Sequence, residues 1–455
     1  MPSFDHVLPT LLRVVAPSSL VSRASRICVV RDLLGRVRLA VEPGPGVQLG
    51  AEVDALQTEL AAELGGYYVP PIVHPQSARL RHFVVELFKH ARAWPSVWPS
   101  EYAPDVVSPP SRRIDTNKWF AFERALSKHS WLYEHRYAPP WPLHPRAPTI
   151  VAFYSFKGGV GRTTLLGMMA WQLVRAGKKV VVVDLDLEAP GAASLFGVEP
   201  HHGVVDYIVD RVAARTGAAQ PWPAARSLGP ADSAQITVVP AGHLNWQYLE
   251  KLARLDFAGS RTSPEDDGNP TLEALKSLLR DISRDYQPDY ILIDSRAGLH
   301  DISGLSLHAL SHLDVLVNRA GVQGMAGLAL ILQSLRQHKE LDELQCIVVH
   351  AMAPGPNQQE LRRQEVDRVR GEVYDLFTQH VYAEDDALDI DDSTAPHYPW
   401  VVSFDPRLER VERLGAGLEG AIFGSEELQQ ICSRIRELAG ESSDEDDDGI
   451  EERAP

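Results

Sequence analysis

The sequence predicts an α/β protein in which a doubly wound, mostly parallel sheet follows a small α+β N-terminal domain. From Thr149 onward, strand-like and helical segments alternate, as they do when helices connect parallel strands. The preceding residues follow a different pattern, and a proline-rich segment separates the two parts. With 455 residues, the chain is also longer than a single core usually accommodates, which favours two domains.

The N-terminal domain is predicted over residues 1–135. Residues 26–42 contain two β-rich runs around Leu34 and Gly35, which indicate a hairpin. A second helix is predicted from Asn117 to Glu134, and we expect its Trp and Phe side chains to lie in the core. The first helix is predicted within residues 50–66, where apolar residues recur at helical spacing: Val53, Leu56, Leu60 and Leu64.

The domain boundary is placed at residues 136–148, where five of thirteen residues are proline. Each proline fixes φ and removes a backbone donor, so this segment is predicted to be a linker. The larger domain is then predicted over residues 149–438. Residues 439–455 are predicted to be a disordered acidic tail, because the run from Glu441 to Glu452 has almost nothing to bury.

The larger domain begins with a strand, a glycine-rich loop, a helix and a second strand. Residues 149–155 are β-branched and aromatic, the helix is predicted over residues 163–176, and KVVVVDLD has the continuous apolar character of a buried parallel strand. This is a βαβ unit of the length that parallel pairing requires. Five further strands are predicted, at residues 235–240, 289–295, 314–318, 345–350 and 400–404.

Composition excludes several classes of protein. The chain is 44% hydrophobic and 23% charged, as in ordinary globular proteins. No apolar run approaches the length of a membrane helix, and the N-terminal residues lack a secretory signal pattern. Cys28, Cys346 and Cys432 lie far apart, which predicts neither disulfides nor a zinc site. We therefore expect a cytoplasmic protein. The net charge of -16 disfavours DNA as a partner, although a local basic face would still permit DNA binding.

The glycine-rich loop lies in FYSFKGGVGRTTLLG, from Phe153 to Gly167, and departs twice from the common phosphate-binding pattern G-x-x-x-x-G-K-[ST]. Phe156 stands where the first glycine belongs, and Arg162 stands where the lysine belongs. The glycines let backbone amides approach phosphate, and the following helix N-terminus attracts anions. Thr163 takes the position whose hydroxyl ligates Mg²⁺. The loop therefore predicts a nucleotide site of an unusual kind.

Carboxylates follow two other predicted strands. Asp184 and Asp186 end KVVVVDLD, and Asp294 ends the strand DYILID. The carboxyl ends of parallel strands meet at one edge of a sheet, where ligands bind. Mg²⁺ takes oxygen ligands and usually keeps several waters, so these side chains predict a magnesium site with a neighbouring carboxylate that orients water.

Together these motifs resemble the deviant Walker-A ATPases, the ParA/MinD superfamily of SIMIBI-class P-loop proteins, over roughly Thr149 to Leu438. Their loop reads K-G-G-x-G-K-[ST]-T, and its first lysine corresponds to Lys157. The resemblance implies ATP and Mg²⁺ as cofactors and an ATP-dependent homodimer in which Lys157 reaches the partner's phosphates. It also implies that Asp186 positions the attacking water and that Asp184 and Asp294, with Thr163, serve the metal.

The remaining site residues also come from this resemblance. Gly298, in IDSRAGLHD, corresponds to the glycine of a segment that senses the γ-phosphate, and Pro406, in FDPRLE, corresponds to a base-contacting position. Arg162 departs from the family lysine but resembles a K-G-G-V-G-R branch, which DLDLEAPG also fits. The implied catalytic residues are Lys157, Arg162 and Asp186. The implied nucleotide-binding residues are Gly158, Gly159, Val160, Gly161, Arg162, Thr163, Thr164, Gly298 and Pro406.

The predicted function is an ATP-driven molecular switch with slow hydrolysis, which regulates association with a protein partner through the N-terminal domain or the acidic tail. The last predicted helix, Glu426 to Leu438, has mixed charge and precedes acidic residues, so membrane attachment through it is disfavoured. Two alternatives stay open at this point. One is a nucleotide-binding scaffold with negligible turnover, because Arg162 replaces the loop lysine. The other is an enzyme related to bacterial tyrosine kinases.

Overall fold

The chain forms two compact units, Met1–Glu134 and His135–Pro455. The structure is a computed structural model. It describes residues 2–76, 81–94, 116–123, 127–132, 137–214, 225–228, 235–258, 269–341, 343–383, 388–409, 411–415 and 417–441. The predicted acidic tail therefore lies outside the described residues from position 442 onward. Within the described ranges, no helix combines the length and apolarity that a membrane-spanning segment needs.

The N-terminal unit contains a four-stranded sheet of order β2-β1-β4-β3. The predicted hairpin is confirmed, because β1 and β2 pair antiparallel on either side of a turn at residues 32–36. In this turn the Asp32 carboxylate accepts the backbone N–H groups of Leu34 and Arg36, while Gly35 takes a φ of 77°. The strands are β1 Ala24–Arg31, β2 Val37–Pro43, β3 Arg92–Ala93 and β4 Trp119–Glu123.

Helices cover parts of this sheet. The first predicted helix is confirmed, and its four apolar positions are all buried. The helices are α1 Val7–Val15, α2 Ser19–Arg23, α3 Ala51–Leu64, α4 Arg81–His90 and α5 His129–Leu132, with 3₁₀ turns at Phe4–His6, Gly65–Tyr67 and Thr116–Lys118.

The helix predicted from Asn117 to Glu134 is wrong over its first part. Trp119–Glu123 is the strand β4, which pairs parallel with β1, and the described helix here is the short α5. Alternate residues of β4 enter different cores: Trp119 and Ala121 join one hydrophobic cluster, whereas Phe120 and Phe122 pack against another. A strand buried on both faces is apolar throughout, so its sequence lacks the alternation that would distinguish it from a helix. The expectation that Trp119 lies in the core is confirmed.

Replacement of Trp119 by alanine is expected to lower the free energy of unfolding by ~3–5 kcal/mol. The side chain is fully buried, and its ring lies edge-on to Trp94 with the centroids 5.8 Å apart, so truncation leaves a large cavity. Urea unfolding followed by circular dichroism measures the loss. Leu34→Ala is the control, since Leu34 is 71% exposed in the hairpin turn. Equal unfolding midpoints for the two variants would contradict the packing described for β4.

The second unit confirms the predicted doubly wound α/β architecture. Its eight-stranded sheet has the order β12-β11-β10-β5-β9-β6-β8-β7, and all neighbours pair in parallel except the antiparallel edge strand β7. Each strand predicted in this unit is present within a few residues of its predicted position. The strands are β5 Thr149–Tyr154, β6 Val180–Leu185, β7 Ala225–Leu228, β8 Gln235–Val239, β9 Tyr290–Ser295, β10 Leu313–Asn318, β11 Cys346–Ala353 and β12 Pro399–Ser403.

Helices connect these strands. The strand β5 leads through the glycine-rich loop into α6, whose apolar residues join the largest core cluster. The helices are α6 Arg162–Arg175, α7 Ala192–Leu195, α8 Val204–Ala214, α9 Trp246–Ala258, α10 Pro270–Tyr286, α11 Asp301–Leu305, α12 Val322–His338, α13 Gln359–His380, α14 Glu419–Phe423 and α15 Glu426–Leu438. A π-helical turn at Ser306–Leu310 continues α11, and a 3₁₀ turn at Pro356–Gln358 precedes α13.

The centre of the sheet fixes the position of the site. The strands β5, β6 and β9 are buried along their whole length, as their continuous apolar character predicts. Since β9 pairs with both β5 and β6 in parallel, the carboxyl ends of all three lie at one edge. In this register Asp184 is the pairing partner of Asp294. The glycine-rich loop and both strand-end carboxylates therefore converge.

Asp314 lies near the start of β10, at the end of the sheet away from the site, where it forms a buried ion pair. Its carboxylate lies 2.7 Å from the Lys339 ammonium and also accepts the Ser311 hydroxyl at 2.6 Å. Burial raises the pKa of Asp314, and Lys339 opposes that rise. Within this pair the carboxylate side chain is fully buried and the lysine side chain is 10% exposed, so the pair is largely shielded from bulk water.

Asp314→Ala is expected to lower the free energy of unfolding by ~3–5 kcal/mol, because it leaves the Lys339 ammonium buried without its counter-charge. Thermal and urea unfolding measure this. Asp285→Ala serves as the matched control, since Asp285 pairs with Arg284 in an exposed position and its loss should leave the unfolding midpoint unchanged. If the two variants have the same unfolding midpoint, the buried Asp314–Lys339 pair contributes no more to the free energy of unfolding than an exposed ion pair does.

Candidate nucleotide-binding site

The loop between β5 and α6 has an open, backbone-lined surface. Gly159 and Gly161 adopt positive φ values of 74° and 85°, which favour glycine. No described atom lies within 4 Å of the position that a Cβ would occupy at Gly158 or Gly159. Val160 is buried, and α6 begins at Arg162, directly after the glycines, with N-terminal amides that have no partner within the helix. This cradle fits a phosphate group.

Lys157 is exposed at the start of the loop. In the described part of the chain it forms no ion pair, so its ammonium is available to a ligand or to another protein surface. Thr164 lies in the first turn of α6 and is partly buried. The roles of both residues stay predictions, but their positions beside the glycine cradle are compatible with phosphate binding.

Arg162 pairs with two carboxylates in the structure. Its role in binding phosphate together with Lys157 stays a prediction. Its Nε donates to Asp294 Oδ1 at 2.6 Å, and its Nη2 donates to Asp186 Oδ2 at 2.9 Å. The arginine side chain is only 8% exposed. The planar guanidinium spans both carboxylates, which a lysine ammonium would not do with the same geometry.

Thr163 extends this network. Its hydroxyl donates to Asp294 Oδ2 at 2.8 Å, so both oxygens of Asp294 have partners. Arg162 Nη2 also lies 3.4 Å from Thr163 Oγ1. A threonine hydroxyl beside carboxylate oxygens is the donor set that Mg²⁺ prefers, and in this respect the residues fit the metal. Among the described residues, no group of three or more His, Cys, Asp or Glu could hold an ion by itself, so phosphate and water oxygens would have to complete the coordination.

Asp184 is fully buried and organises the turn after β6. Its carboxylate accepts the backbone N–H groups of Asp186, Gly191 and Ala192 at 3.0, 3.1 and 3.0 Å. Burial raises the pKa of Asp184 to about 8, with a further contribution from Asp294. The structure therefore shows Asp184 holding the turn at residues 188–191, the EAPG turn. A direct or indirect contact of Asp184 with Mg²⁺ stays a prediction.

The electrostatic balance of this cluster depends on Arg162. Burial alone would lower the pKa of Arg162, but the carboxylates of Asp294 and Asp186 raise it above the ordinary arginine value. Burial raises the pKa of Asp294, and the Arg162 guanidinium opposes that rise. Arg162 contacts two carboxylates, so Asp186 and Asp294 share a single guanidinium. The stability of this buried cluster therefore depends on a cation at the position of Arg162.

Phe156, the first departure from the common loop pattern, packs against helix α12. A Cβ at Gly327 would lie 2.1 Å from two ring atoms of Phe156, so the ring rests directly on the helix backbone at this glycine. Sequence reasoning missed this contact. A signal was present, because Gly324 and Gly327 both lie inside a helix, where glycine costs ~1 kcal/mol relative to alanine.

The segment that contains Gly298 is tied to both sides of the site. Gly298 donates its N–H to the carbonyl of Ser155 at 3.1 Å, and its own carbonyl accepts the Tyr154 hydroxyl at 3.1 Å. Glu188 of the EAPG turn forms an ion pair with Arg296 and lies 3.5 Å from His300 Nε2. Displacement of this segment would therefore disturb both the glycine-rich loop and the turn after Asp186 that contains Glu188.

Pro406 lies on an exposed turn after β12, at the outer edge of the sheet. In this turn Asp405 forms an ion pair with Arg407 at 2.6 Å, and the neighbouring Phe404 ring is 41% exposed. The base-contacting role of Pro406 stays a prediction.

Parts of the chain are similar to known proteins. Residues 148–345 match a protein family described as an AAA domain. The chain is 41% identical over 49 residues to an iron–sulfur cluster carrier protein of Clostridium perfringens, covering 11% of this chain and 17% of that protein. It is 30% identical over 166 residues to the septum site-determining protein MinD of Helicobacter pylori, covering 36% and 50%. The chain thus spans half or less of the length of these curated relatives.

Among solved structures, the cell division protein MinD of Aquifex aeolicus aligns with 65% of this chain and 98% of its own, at 18% identity and a TM-score of 0.40. The family match covers the glycine-rich loop, the strand-end carboxylates and the Gly298 segment. The match to the Helicobacter pylori protein agrees with this assignment. Residues 148–345 therefore match an AAA-domain family, and the chain is similar over 166 residues to a MinD protein.

Proposed function

We propose that this protein is an ATP-dependent dimerising switch that binds and slowly hydrolyses MgATP, and thereby regulates its association with a protein partner. The observation that carries the proposal is the open glycine cradle next to the buried cluster of Arg162, Asp186 and Asp294. A phosphate-binding surface lies beside carboxylates that can orient water and serve a metal ion. Such an arrangement suits phosphoryl transfer from a nucleoside triphosphate.

Each residue has a role in this proposal. The loop amides at Gly158 to Gly161 bind the phosphates, and the α6 N-terminus stabilises their negative charge. Thr163 and Asp294 would hold Mg²⁺, which would neutralise phosphate charge when bound. Asp186, at the surface of the cluster, accepts a hydrogen bond from the attacking water. Lys157 is exposed and supplies a cation to the phosphates of a second protomer, which makes hydrolysis depend on dimerisation.

The proposed partner is a protein, bound by the N-terminal unit or by the acidic residues after Leu438. The net charge of -16 disfavours nucleic acid as the main partner, because such affinity comes mostly from neutralising phosphates with Lys and Arg. A switch of this kind works through the different affinities of a partner for the ATP-bound and ATP-free states.

A second candidate function is a nucleotide-binding scaffold with negligible turnover. The observation that favours it is the position of Arg162, whose guanidinium is held by Asp186 and Asp294 and so does not face the loop surface. If the guanidinium stays there when ATP binds, Asp186 is not available to orient water.

The two functions are separated by the ATP hydrolysis rate per protomer, measured over a range of protein concentrations. For the switch, the rate rises with concentration, and Lys157→Ala lowers it by at least ~10²-fold. Lys89→Ala is the control, since Lys89 is an exposed lysine of the N-terminal unit. A rate that stays near zero at every concentration while ATP still binds would instead establish the scaffold. Absence of ATP binding would reject both.

A further inference from the structure

The oxygens that would bind Mg²⁺ are already engaged by Arg162 and its neighbours. Asp294 Oδ1 accepts Arg162 Nε at 2.6 Å, and Asp294 Oδ2 accepts the Thr163 hydroxyl at 2.8 Å. Arg162 Nη2 lies between Asp186 Oδ2, at 2.9 Å, and Thr163 Oγ1, at 3.4 Å. A metal ion bound to Thr163 and Asp294 would therefore lie against the guanidinium, and two cations at such a distance repel each other strongly.

Because the carboxylates are buried, the Arg162 guanidinium cannot leave them unless another cation replaces it. Asp294 is fully buried, Asp186 is 11% exposed by its side chain, and the arginine between them is 8% exposed. A buried carboxylate that loses its only cation is strongly destabilised. Departure of Arg162 is therefore favourable only when another cation takes its place.

The loop offers the displaced guanidinium a second position. Arg162 is the first residue of α6, directly after the glycine cradle, and the space above Gly158 and Gly159 is open. Phosphate oxygens placed there would accept a guanidinium in a two-pronged geometry. The same side chain can thus pair with carboxylates in one state and with phosphate in the other.

We propose that Arg162 is a tethered cation that occupies the magnesium position in the nucleotide-free protein, and that Mg²⁺ entering with ATP displaces it toward the phosphates. This inference rests on the proposed function and adds regulation of metal binding at the same site. The carboxylates stay paired with Arg162 until metal and nucleotide bind together. A lysine at this position would not block them equally, because a single ammonium does not span both carboxylates.

The test is a titration of the full chain with Mn²⁺ in the absence of nucleotide, in which free Mn²⁺ is followed by electron paramagnetic resonance. Arg162→Gln removes the cation, and we expect it to bind Mn²⁺ at least ~10-fold more tightly than the wild type, which corresponds to ~1.4 kcal/mol. Arg162→Lys keeps the net charge but frees one carboxylate, so it should also bind more tightly than the wild type, by a smaller factor. Because Arg162→Lys keeps the net charge, tighter Mn²⁺ binding by this variant would come from the freed carboxylate oxygens and not from a change in charge.

Lys339→Gln is the matched control, because it removes a buried cation from a carboxylate at the opposite edge of the same sheet. It should lower stability without increasing the affinity for Mn²⁺. The proposal is overturned if Arg162→Lys binds Mn²⁺ no more tightly than the wild type. If Arg162→Gln does not fold, the affinity of Arg162→Lys for Mn²⁺ is the deciding measurement. Binding and hydrolysis of MgATP by the wild type are measured separately. Their absence would reject the proposed function, whereas the Mn²⁺ comparison tests the role of Arg162 alone.

Discussion

Asp186→Ala is expected to lower the rate of ATP hydrolysis by ~10²–10⁴-fold while the protein still binds MgATP, because loss of a positioned proton acceptor has effects of this size. Asp186 is suited to orient water because it lies at the outer side of the buried cluster, with 8% of the residue exposed, whereas Asp184 and Asp294 are fully buried. The measurement is single-turnover hydrolysis at saturating MgATP, with nucleotide affinity determined in parallel. Asp186→Asn should show the same loss, since it keeps the volume but not the charge.

Asp281→Asn provides the control for this experiment. Asp281 lies on α10 and pairs with Tyr207 and Arg284, away from the loop, so its replacement should leave hydrolysis unchanged. Hydrolysis that persists at the wild-type rate in Asp186→Ala would exclude a role for this carboxylate in activating water. Loss of MgATP binding in the same variant would show instead that Asp186 acts mainly by holding Arg162.

The central part of the fold was predictable because it depends on local patterns. The strands β5, β6 and β9 are buried and mostly apolar. The glycine loop follows β5, and Asp184 and Asp294 are the penultimate residues of β6 and β9. Parallel connections force those ends to one edge, and the pairing of Asp184 with Asp294 confirms that convergence. The place of the candidate site, at the carboxyl ends of these strands, could therefore be predicted from the sequence alone.

The contacts inside the site were not predictable, because they join residues far apart in the chain. Arg162 and Asp294 are 132 positions apart, and nothing in either segment shows that the guanidinium pairs with the carboxylates. Strand β4 was misassigned for a related reason: its partner β1 lies about ninety residues earlier, as the Arg31–Glu123 separation of 92 shows. In both cases tertiary pairing decided between local alternatives.

Phe156 gives a physical answer to why the loop lacks its first glycine. The ring needs a surface to rest on, and α12 provides one by having no side chain at Gly327. This contact fixes the residue that precedes Lys157, and so it sets the path by which the backbone enters the glycine cradle. The loop and α12 are therefore expected to respond together to any change in packing between them.

Gly327→Ala is expected to weaken MgATP binding by at least ~10-fold, equivalent to ~1.4 kcal/mol. The added Cβ would lie 2.1 Å from Phe156 ring atoms and 2.7 Å from its Cβ, so the backbone at Phe156 has to move and the loop moves with it. The variant is also expected to lose ~1–3 kcal/mol of unfolding free energy through overpacking. Isothermal titration with MgATP and urea unfolding measure the two effects.

Gly371→Ala is the matched control, because Gly371 also lies inside a helix, α13, but no described atom is within 4 Å of its Cβ position. That substitution should raise the unfolding free energy by ~0.5–1 kcal/mol, through helix propensity, and leave MgATP binding unchanged. The double variant Phe156→Ala with Gly327→Ala should recover part of the lost stability, since the smaller side chain removes the clash. If Gly327→Ala behaves like Gly371→Ala, the ring does not anchor the loop on α12, and the loop shape depends on the glycines alone.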